Sequence, residues 1–193
     1  MHYVWLIMDF YQQTFEKLTI HDFQKAEYEQ CRFVNCNFSN ADFTDLKFIE
    51  CEFKGCSLSL VNLAGTTLND VRFHTCKMLG LRFDQCSQFA LSFSFDSCIL
   101  NDSSFFKCRL KKASFVATQF HHCDFVQSDL TEANFHHCDL KNAIFENTVL
   151  QKADLRTAIN FSINPEINQV RQAKFSLVGL RGLLDKYDIV VSA

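Results

Sequence analysis

Two short segments place imidazoles beside a thiol: His121-His122-Cys123 and His136-His137-Cys138. Imidazole and thiolate are the ligands that zinc prefers, and a structural zinc needs four of them converging at tetrahedral geometry. Closely spaced cysteines occur as Cys31 with Cys36 and Cys51 with Cys56. A thiol could also act as a nucleophile, which requires exposure and a neighbour that stabilises the thiolate. Both chemistries depend on where the backbone points these side chains. No Gly-rich phosphate loop and no nucleophile elbow stands in the chain.

The positioning element is a five-residue period. From Phe23 the steps are Phe23, Tyr28, Phe33, Phe38, Phe43, Phe48, Phe53, Leu58, Leu63, Leu68, Phe73, Met78 and Phe83. A second run goes from Phe95 through Leu100, Phe105, Leu110, Phe115, Phe120, Phe125, Leu130, Phe135, Leu140, Phe145 and Leu150 to Leu155. Every step is Phe, Leu, Tyr or Met. The residue two before each step is nearly always Ala, Cys, Ser, Thr or Val, and nine of the ten cysteines stand at such a position of the grid, Cys86 in the interruption after Phe83 being the other. A fixed internal period names an architecture before any local motif is read.

A period of five fits neither a helix nor a lone strand. It fits a chain that turns a corner every five residues, so that four corners close a square coil of about 20 residues and the coils stack at about 4.8 Å. The large centre residue points inward, and the residue two before it points inward near the corner and must be small. The prediction is a ladder in which Phe33, Phe53 and Phe73 stack on one face. Cys36, Cys56, Cys76 and Cys98 form a column at the next corner. The cysteines then read as small buried residues, not as metal ligands, nucleophiles or disulfide partners. His121 and His136, one residue past Phe120 and Phe135, should point outward. No metal site, no cofactor and no catalytic residue is expected.

Composition agrees. A chain of 193 residues is one domain, and five Gly and one Pro are too few for a loop-rich or disordered protein. The formal net charge of -3, from 19 basic and 22 acidic residues, is not the balance of a nucleic-acid-binding protein. Met1 to Met8 is apolar but short, without a basic start or cleavage site, and either methionine could be the native start. No run reaches membrane-spanning length. Reduced thiols point to a cytoplasmic protein.

The grid divides the chain into an N-terminal cap over residues 1–20, a coil region over 21–157, and a connection with a helical cap over 158–193. Phe83 to Phe95 spans two residues more than two steps require, so a register break falls at 84–94, around Gln88 and Phe89. Such bulges re-aim a chain and often mark contacts. After Leu155 the pattern stops. Leu177, Leu180, Leu183 and Leu184 then fall at helical spacing behind Ser176, a suitable N-cap, and a short β-like run Ile189-Val190-Val191 follows. That tail has more apolar surface than one coil end needs. A two-fold dimer through Leu177, Leu180, Leu183, Leu184, Tyr187, Ile189 and Val191 is therefore expected.

The outward surface offers one further pattern. Asp22, Asp42, Asp124, Asp129, Asp139 and Asp154 all stand just before a centre, and Lys107, Arg109, Lys111 and Lys112 form a basic patch between them. Solvated charge on a rod is one reading. The other is a rod of duplex-like width that presents spaced carboxylates to a DNA-binding protein, with Asp124, Asp129, Asp139 and Asp154 beside Gln88 and Phe89 as the candidate surface.

Cys31-Arg-Phe-Val-Asn-Cys-Asn-Phe-Ser-Asn-Ala-Asp-Phe43 and Ser128-Asp-Leu-Thr-Glu-Ala-Asn-Phe135 resemble the Ala-(Asp/Asn)-Leu-x-x unit of the pentapeptide-repeat family. Over about residues 21–157 this resemblance implies an all-β fold, the right-handed quadrilateral β-helix, with a C-terminal α-helical cap here. The tail, Ile163-Asn-Pro-Glu-Ile-Asn168 and Gly182-Leu-Leu-Asp-Lys-Tyr-Asp-Ile-Val-Val191, is similar to the end of the microcin-immunity and Qnr quinolone-resistance proteins. That second resemblance implies a non-enzymatic homodimer that engages DNA gyrase or topoisomerase IV by DNA mimicry, with no direct nucleic-acid or membrane binding. A rigid scaffold for another protein partner is the alternative.

Overall fold

Each rung of the chain repeats one burial cycle: an inward small residue, an exposed residue, an inward large residue, a half-buried one and an exposed corner. At almost every corner the residue two past the centre has a positive φ, as at Asn35 (53°), Asp45 (60°) and Gly55 (65°). This left-handed conformation turns the chain through the corner, and Asn, Asp and Gly take it at the lowest cost. The computed structural model describes residues 8–190, and these make a parallel all-β solenoid with four columns of centres.

The first face begins with strands Met8–Tyr11, Ala26–Glu29, Lys47–Ile49 and Thr67–Asn69, paired in parallel and in register. It resumes through bridges Arg109 to Asp129, Asp129 to Val149 and Val149 to Gln169. The second face is a continuous seven-stranded ladder from Thr14–Glu16 to Asn134–His136, extended by bridges to Asp154 and Lys174. The third runs from Thr19 through Asn37, Ser57, Lys77, Ile99, Gln119 and Asp139 to Ile159. The fourth links Asp42 to Asn62, and Arg82 to Ser104, Asp124 and Ile144.

The predicted ring column is present. Phe33 stacks on Phe53 with centroids 4.6 Å apart and planes 11° from parallel, and Phe53 stacks on Phe73 at 5.2 Å. On the fourth face Phe83, Phe105, Phe125 and Phe145 stack at 4.8, 4.9 and 5.1 Å. Offset stacking of this kind adds to the area buried and makes the core dense. Where Leu58, Leu63 and Leu68 replace rings, an apolar void of about 10 Å³ remains beside Phe43 and Phe83. The cysteine column also forms: the Cys36 amide meets the Cys56 sulfur at 3.4 Å, and the Cys76 amide meets that of Cys98 at 3.4 Å.

The ends differ from the sequence expectation. Residues 8–20 do not form a separate cap, because Phe10 lies opposite Tyr28 and Phe15 opposite Phe33 in the ladders. They add a coil, and Phe23 follows Ile20 by three residues instead of five. Asp22 closes that shortened corner, its carboxylate accepting from the Thr19 amide at 3.1 Å and hydroxyl at 2.7 Å. The coil also continues past Leu155, since Lys174 bridges Asp154 and Gln169 bridges Val149. Asn160 and Pro165 occupy grid positions without apolar centres, which hid that last coil; Val170 and Phe175 resume it.

The C-terminal segment is not an α-helix. It forms 3₁₀ turns at Val178–Leu183 and Asp185–Tyr187. Gly179 and Gly182 weaken any α-helix here, and Asp188 at φ 50° ends the second turn in the left-handed region. Gly182 lies so close to the last coil that a Cβ would stand 2.1 Å from the Phe161 carbonyl oxygen. Ser176 does cap the turn, its hydroxyl accepting from the Gly179 amide at 3.0 Å. Ile189 and Val190 belong to no strand, and Val191 lies outside the described residues.

Candidate protein-docking faces

The inward positions hold the cysteines away from chemistry. All ten are free thiols and buried. Most of them donate to a backbone carbonyl one coil earlier: Cys51 to Tyr28 at 3.3 Å, Cys56 to Phe33 at 3.3 Å and Cys138 to Phe115 at 3.4 Å. Burial pushes Cys51, Cys108, Cys123 and Cys138 up to about 12, so these sulfurs stay protonated at neutral pH. His121 is half-buried, with Nε2 2.8 Å from the Asp139 carboxylate, and His136 is exposed with Nδ1 3.2 Å from the Thr157 hydroxyl. Among the described residues no cluster of His, Cys, Asp or Glu could hold a metal ion. Nor is any helix among them long and apolar enough to cross a membrane.

The four aspartates of the expected partner surface do not converge. Asp129 is on the first face, Asp154 on the second, Asp139 on the third and Asp124 on the fourth. Their common position has a local cause that the sequence reading missed. Each carboxylate accepts from the amide two residues on: Val126 at 2.8 Å, Thr131 at 3.1 Å, Lys141 at 3.2 Å and Arg156 at 3.2 Å. Asp42 does the same to Thr44 at 3.1 Å, and Asn37 and Asn62 do so to Ser39 and Ala64. The residue before a centre is thus an Asx-turn acceptor that fixes the next corner.

These bonds also set the charge. The Thr44 hydroxyl and then Lys25 hold Asp42 down to about 2. Arg156 holds Asp154 below the usual carboxylate range. At Asp129, partial burial pushes upward but is outweighed by the Thr131 hydroxyl and amide and by Lys111. At Asp139, burial is likewise outweighed, by Asn160 and His121. All four stay anionic at neutral pH, held in place by turn geometry.

Charge is distributed unevenly over the faces. The fourth face carries Asp22, Asp42, Asp45, Asp84, Asp124 and Glu146 along its length. Lys25, Arg82 and Lys107 stand among them, with Lys25 3.0 Å from Asp42 and Arg82 2.7 Å from Asp84. The second face mixes signs rung by rung, as in the pair of Arg32 with Glu52 at 2.8 Å. Asp22, Asp42 and Asp124, three of the aspartates picked out by their position before a centre, therefore share one face.

The register break projects a single large side chain. The pairing offset between neighbouring coils rises from 20 residues, Phe53 to Phe73, to 22, Phe73 to Phe95. Gln88 folds back, its amide nitrogen donating to the Cys86 carbonyl at 3.0 Å. Leu91 and Phe93 fill the core. Phe89 is left 87 % exposed.

At the C-terminal end, Leu183 packs against the core and Leu184 is half-buried. The Tyr187 hydroxyl donates to Glu166 at 3.0 Å, and Lys186 pairs with the same carboxylate. Leu177 (89 %), Val178, Leu180, Ile189 and Val190 stay exposed and form an apolar end surface. Beside it an open cleft of about 800 Å³ runs between the turn and the last coil, lined by Lys141, Arg156, Ile159, Phe161, Arg181 and Asp185.

No curated protein matches the sequence. Among solved structures the chain is similar to a trypsin-treated variant of QnrB1, a plasmid-mediated fluoroquinolone resistance protein. The TM-score is 0.77 at 14% identity, over 96% of this chain and 92% of that one. A second trypsin-treated variant of QnrB1 gives a TM-score of 0.65 at 16% identity, over 96% and 98% of the two chains. HetL from Nostoc sp. strain PCC 7120, a pentapeptide repeat protein involved in heterocyst differentiation regulation, gives 0.48 at 15% identity, over 86% and 85%. The family model for the pentapeptide repeat region matches residues 22–97, 81–155 and 98–182. With its five-residue period, its four-faced parallel coil and that match over most of its length, the chain belongs to the pentapeptide-repeat family.

Proposed function

We propose that this protein is a non-enzymatic docking rod that binds a bacterial type II topoisomerase, DNA gyrase or its relative topoisomerase IV, in place of DNA, and protects it from quinolones or peptide toxins. The observation that carries the reading is the fourth face, where Asp22, Asp42, Asp45, Asp84, Asp124 and Glu146 follow one axis on a stiff, ring-packed core. Complementary charge steers such a surface to a site shaped for a polyanion. The likeness to QnrB1 over nearly the whole of both chains supports it. So does the filled interior, where all ten thiols are buried away from any substrate. A cytoplasmic location fits this partner.

A homodimer through the C-terminal end belongs to the same proposal. Leu177, Val178, Leu180 and Ile189 are exposed there, and burying them between two copies would remove a large apolar patch from water. Two rods joined end to end would double the acidic face.

The test is a supercoiling assay with purified DNA gyrase, with and without a quinolone, titrated with this protein. Restored supercoiling at micromolar protein supports the reading, and Asp42→Lys with Asp124→Lys should abolish it. A second reading is a rigid scaffold for some other protein, and Arg82 and Lys107 favour it by interrupting the carboxylates of the fourth face. The absence of both rescue and inhibition of gyrase would decide for the scaffold.

A further inference from the structure

The first face is divided by charge, and the register break divides it. On the N-terminal side the outward residues include Asp9, Glu27, Glu29, Glu50 and Asp70, with Lys47 as the basic exception. On the C-terminal side they include Arg109, Lys111, Lys112, Lys152 and Arg171. Asp129 and Glu132 are the acidic exceptions there, and both already pair within the chain, Asp129 with Lys111 at 3.3 Å and Glu132 with Lys152 at 3.8 Å. Four rungs, those of Phe10, Tyr28, Phe48 and Leu68, stand before the loop at Gln88–Leu91; four, those of Leu110, Leu130, Leu150 and Val170, stand after it. The loop therefore occupies the central rung, and from it Phe89 projects into solvent.

We infer that the first face is a self-docking surface on which a second copy of this chain lies antiparallel, its basic half over the acidic half of the first and the two Phe89 side chains meeting on the two-fold axis. An isologous contact must be self-complementary under a two-fold rotation. An axis through the central rung, along its strand direction, reverses the rod and keeps left and right on each rung. That operation sets the Leu68 rung over the Leu110 rung of the second copy, with Asp70 across from Lys112. It sets Lys47, which already pairs with Glu27, across from Asp129, which already pairs with Lys111, and Tyr11 across from Arg171. Glu50 across from Glu132 is the one like-charged meeting. An apolar anchor beside a polar rim, with Asp70 meeting Lys112 on the adjoining rungs, is the composition expected of a small interface centre and rim. The fourth face stays open in this pair, and the apolar C-terminal end takes no part in it, so the inference stands whether or not the gyrase reading and the end-to-end dimer hold.

Attraction of this kind depends on screening, which shortens from about 10 Å at 0.1 M salt to about 3 Å at 1 M. The experiment measures the mass of the full chain by sedimentation at both salt concentrations, carried out on the wild type and on a Leu177→Glu/Val178→Glu variant that removes end-to-end contact. The expected result is a dimer in that variant whose dissociation constant rises about tenfold or more with salt. Lys112→Asp should weaken it, and adding Asp70→Lys should restore it, a rescue that a folding defect cannot produce. In mild oxidant Phe89→Cys should form a covalent dimer, while Leu60→Cys, exposed on the third face, should not. A variant that is monomeric at low salt, or a dimer indifferent to salt and to the charge exchange, or no preference for the Phe89→Cys crosslink, would overturn the inference.

Discussion

The thiol of Cys123 donates to the backbone carbonyl of Leu100, one coil earlier, at 3.1 Å. Hydroxyls at the same inward position do likewise: Thr66 to Phe43 at 2.8 Å, Ser103 to Met78 at 3.2 Å and Thr148 to Phe125 at 2.9 Å. The position selects for a donor as well as for small size, which explains why Cys, Ser and Thr are so frequent there. Thr148→Val keeps the shape and removes the donor, so it should lower unfolding free energy by about 1–2 kcal/mol. Thr148→Ser should recover most of that. Urea denaturation of the three proteins checks it, and an unchanged midpoint for the valine variant would show the bond to be immaterial.

Burial keeps Cys51, Cys108, Cys123 and Cys138 protonated in the folded chain, at about 12. In the unfolded chain they ionise near the ordinary value of about 8.5. A raised folded value contributes stability that is complete below the unfolded value and lost as pH climbs to the folded one. The melting temperature should therefore fall between about pH 9 and pH 12. At pH 8 the native thiols should react with an aromatic disulfide reagent only as fast as the protein opens, and all should react at once in denaturant. Prompt reaction of the native protein would mean that the inward column is open to solvent.

Asp42 works in the opposite direction. Its folded value of about 2, set first by the Thr44 hydroxyl and then by Lys25, is depressed. Such a group contributes stability above its unfolded value and loses it as pH falls through the folded value. Stability should decline from about pH 4 downward, and Asp42→Asn, which keeps an acceptor for the Thr44 amide, should flatten part of that decline. Acid titration followed by circular dichroism makes the comparison. Because Asp42 is largely exposed, solvent screening keeps the effect small.

Thr75 sits at a corner with φ 51°, a conformation that β-branched residues take at a cost, and its side chain is exposed. Asn occupies the equivalent corner at Asn35 and Asn40. Thr75→Asn should raise stability by about 0.5–1 kcal/mol. A melting temperature that falls instead would show that the hydroxyl, which donates to the His74 carbonyl at 2.8 Å, outweighs the strain.

What could be read in advance followed the period. The ring column through Phe33, Phe53 and Phe73, the cysteine column and the break after Phe83 are direct consequences of five-residue spacing, because a coil repeats the same side chain at the same place. The outer coils were hidden where the spacing or the centres failed: Phe23 follows Ile20 by a step of three instead of five, and Asn160 and Pro165 interrupt the C-terminal run. The tail misled because leucine spacing describes a face but not a hydrogen-bond pattern, and Gly179 and Gly182 decided the latter. The aspartates misled for a different reason. Their regular position suggested a surface, yet the regularity comes from the turn that each one closes, and the square coil sends successive turns to different faces.

Gly182 is the point at which the C-terminal turn is locked to the coil. Its carbonyl accepts from the Ile163 amide at 2.8 Å, and its Cα faces the Phe161 carbonyl and ring with no room for a side chain. A methyl group there meets backbone oxygen at 2.1 Å, which neither partner can relieve by a rotamer change. Gly182→Ala should therefore release the turn while leaving the stacked coils intact, because each coil contacts only its neighbours. Brief trypsin treatment should cut after Arg181 and Lys186 in the variant faster than in the wild type, with the circular dichroism of the coil unchanged. If the end-to-end dimer depends on the turn holding Leu177, Val178 and Leu180 in place, the same substitution should also shift the mass toward monomer. Equal cleavage rates would mean that the turn is already loose in the native protein and that Phe161 is covered by some other means.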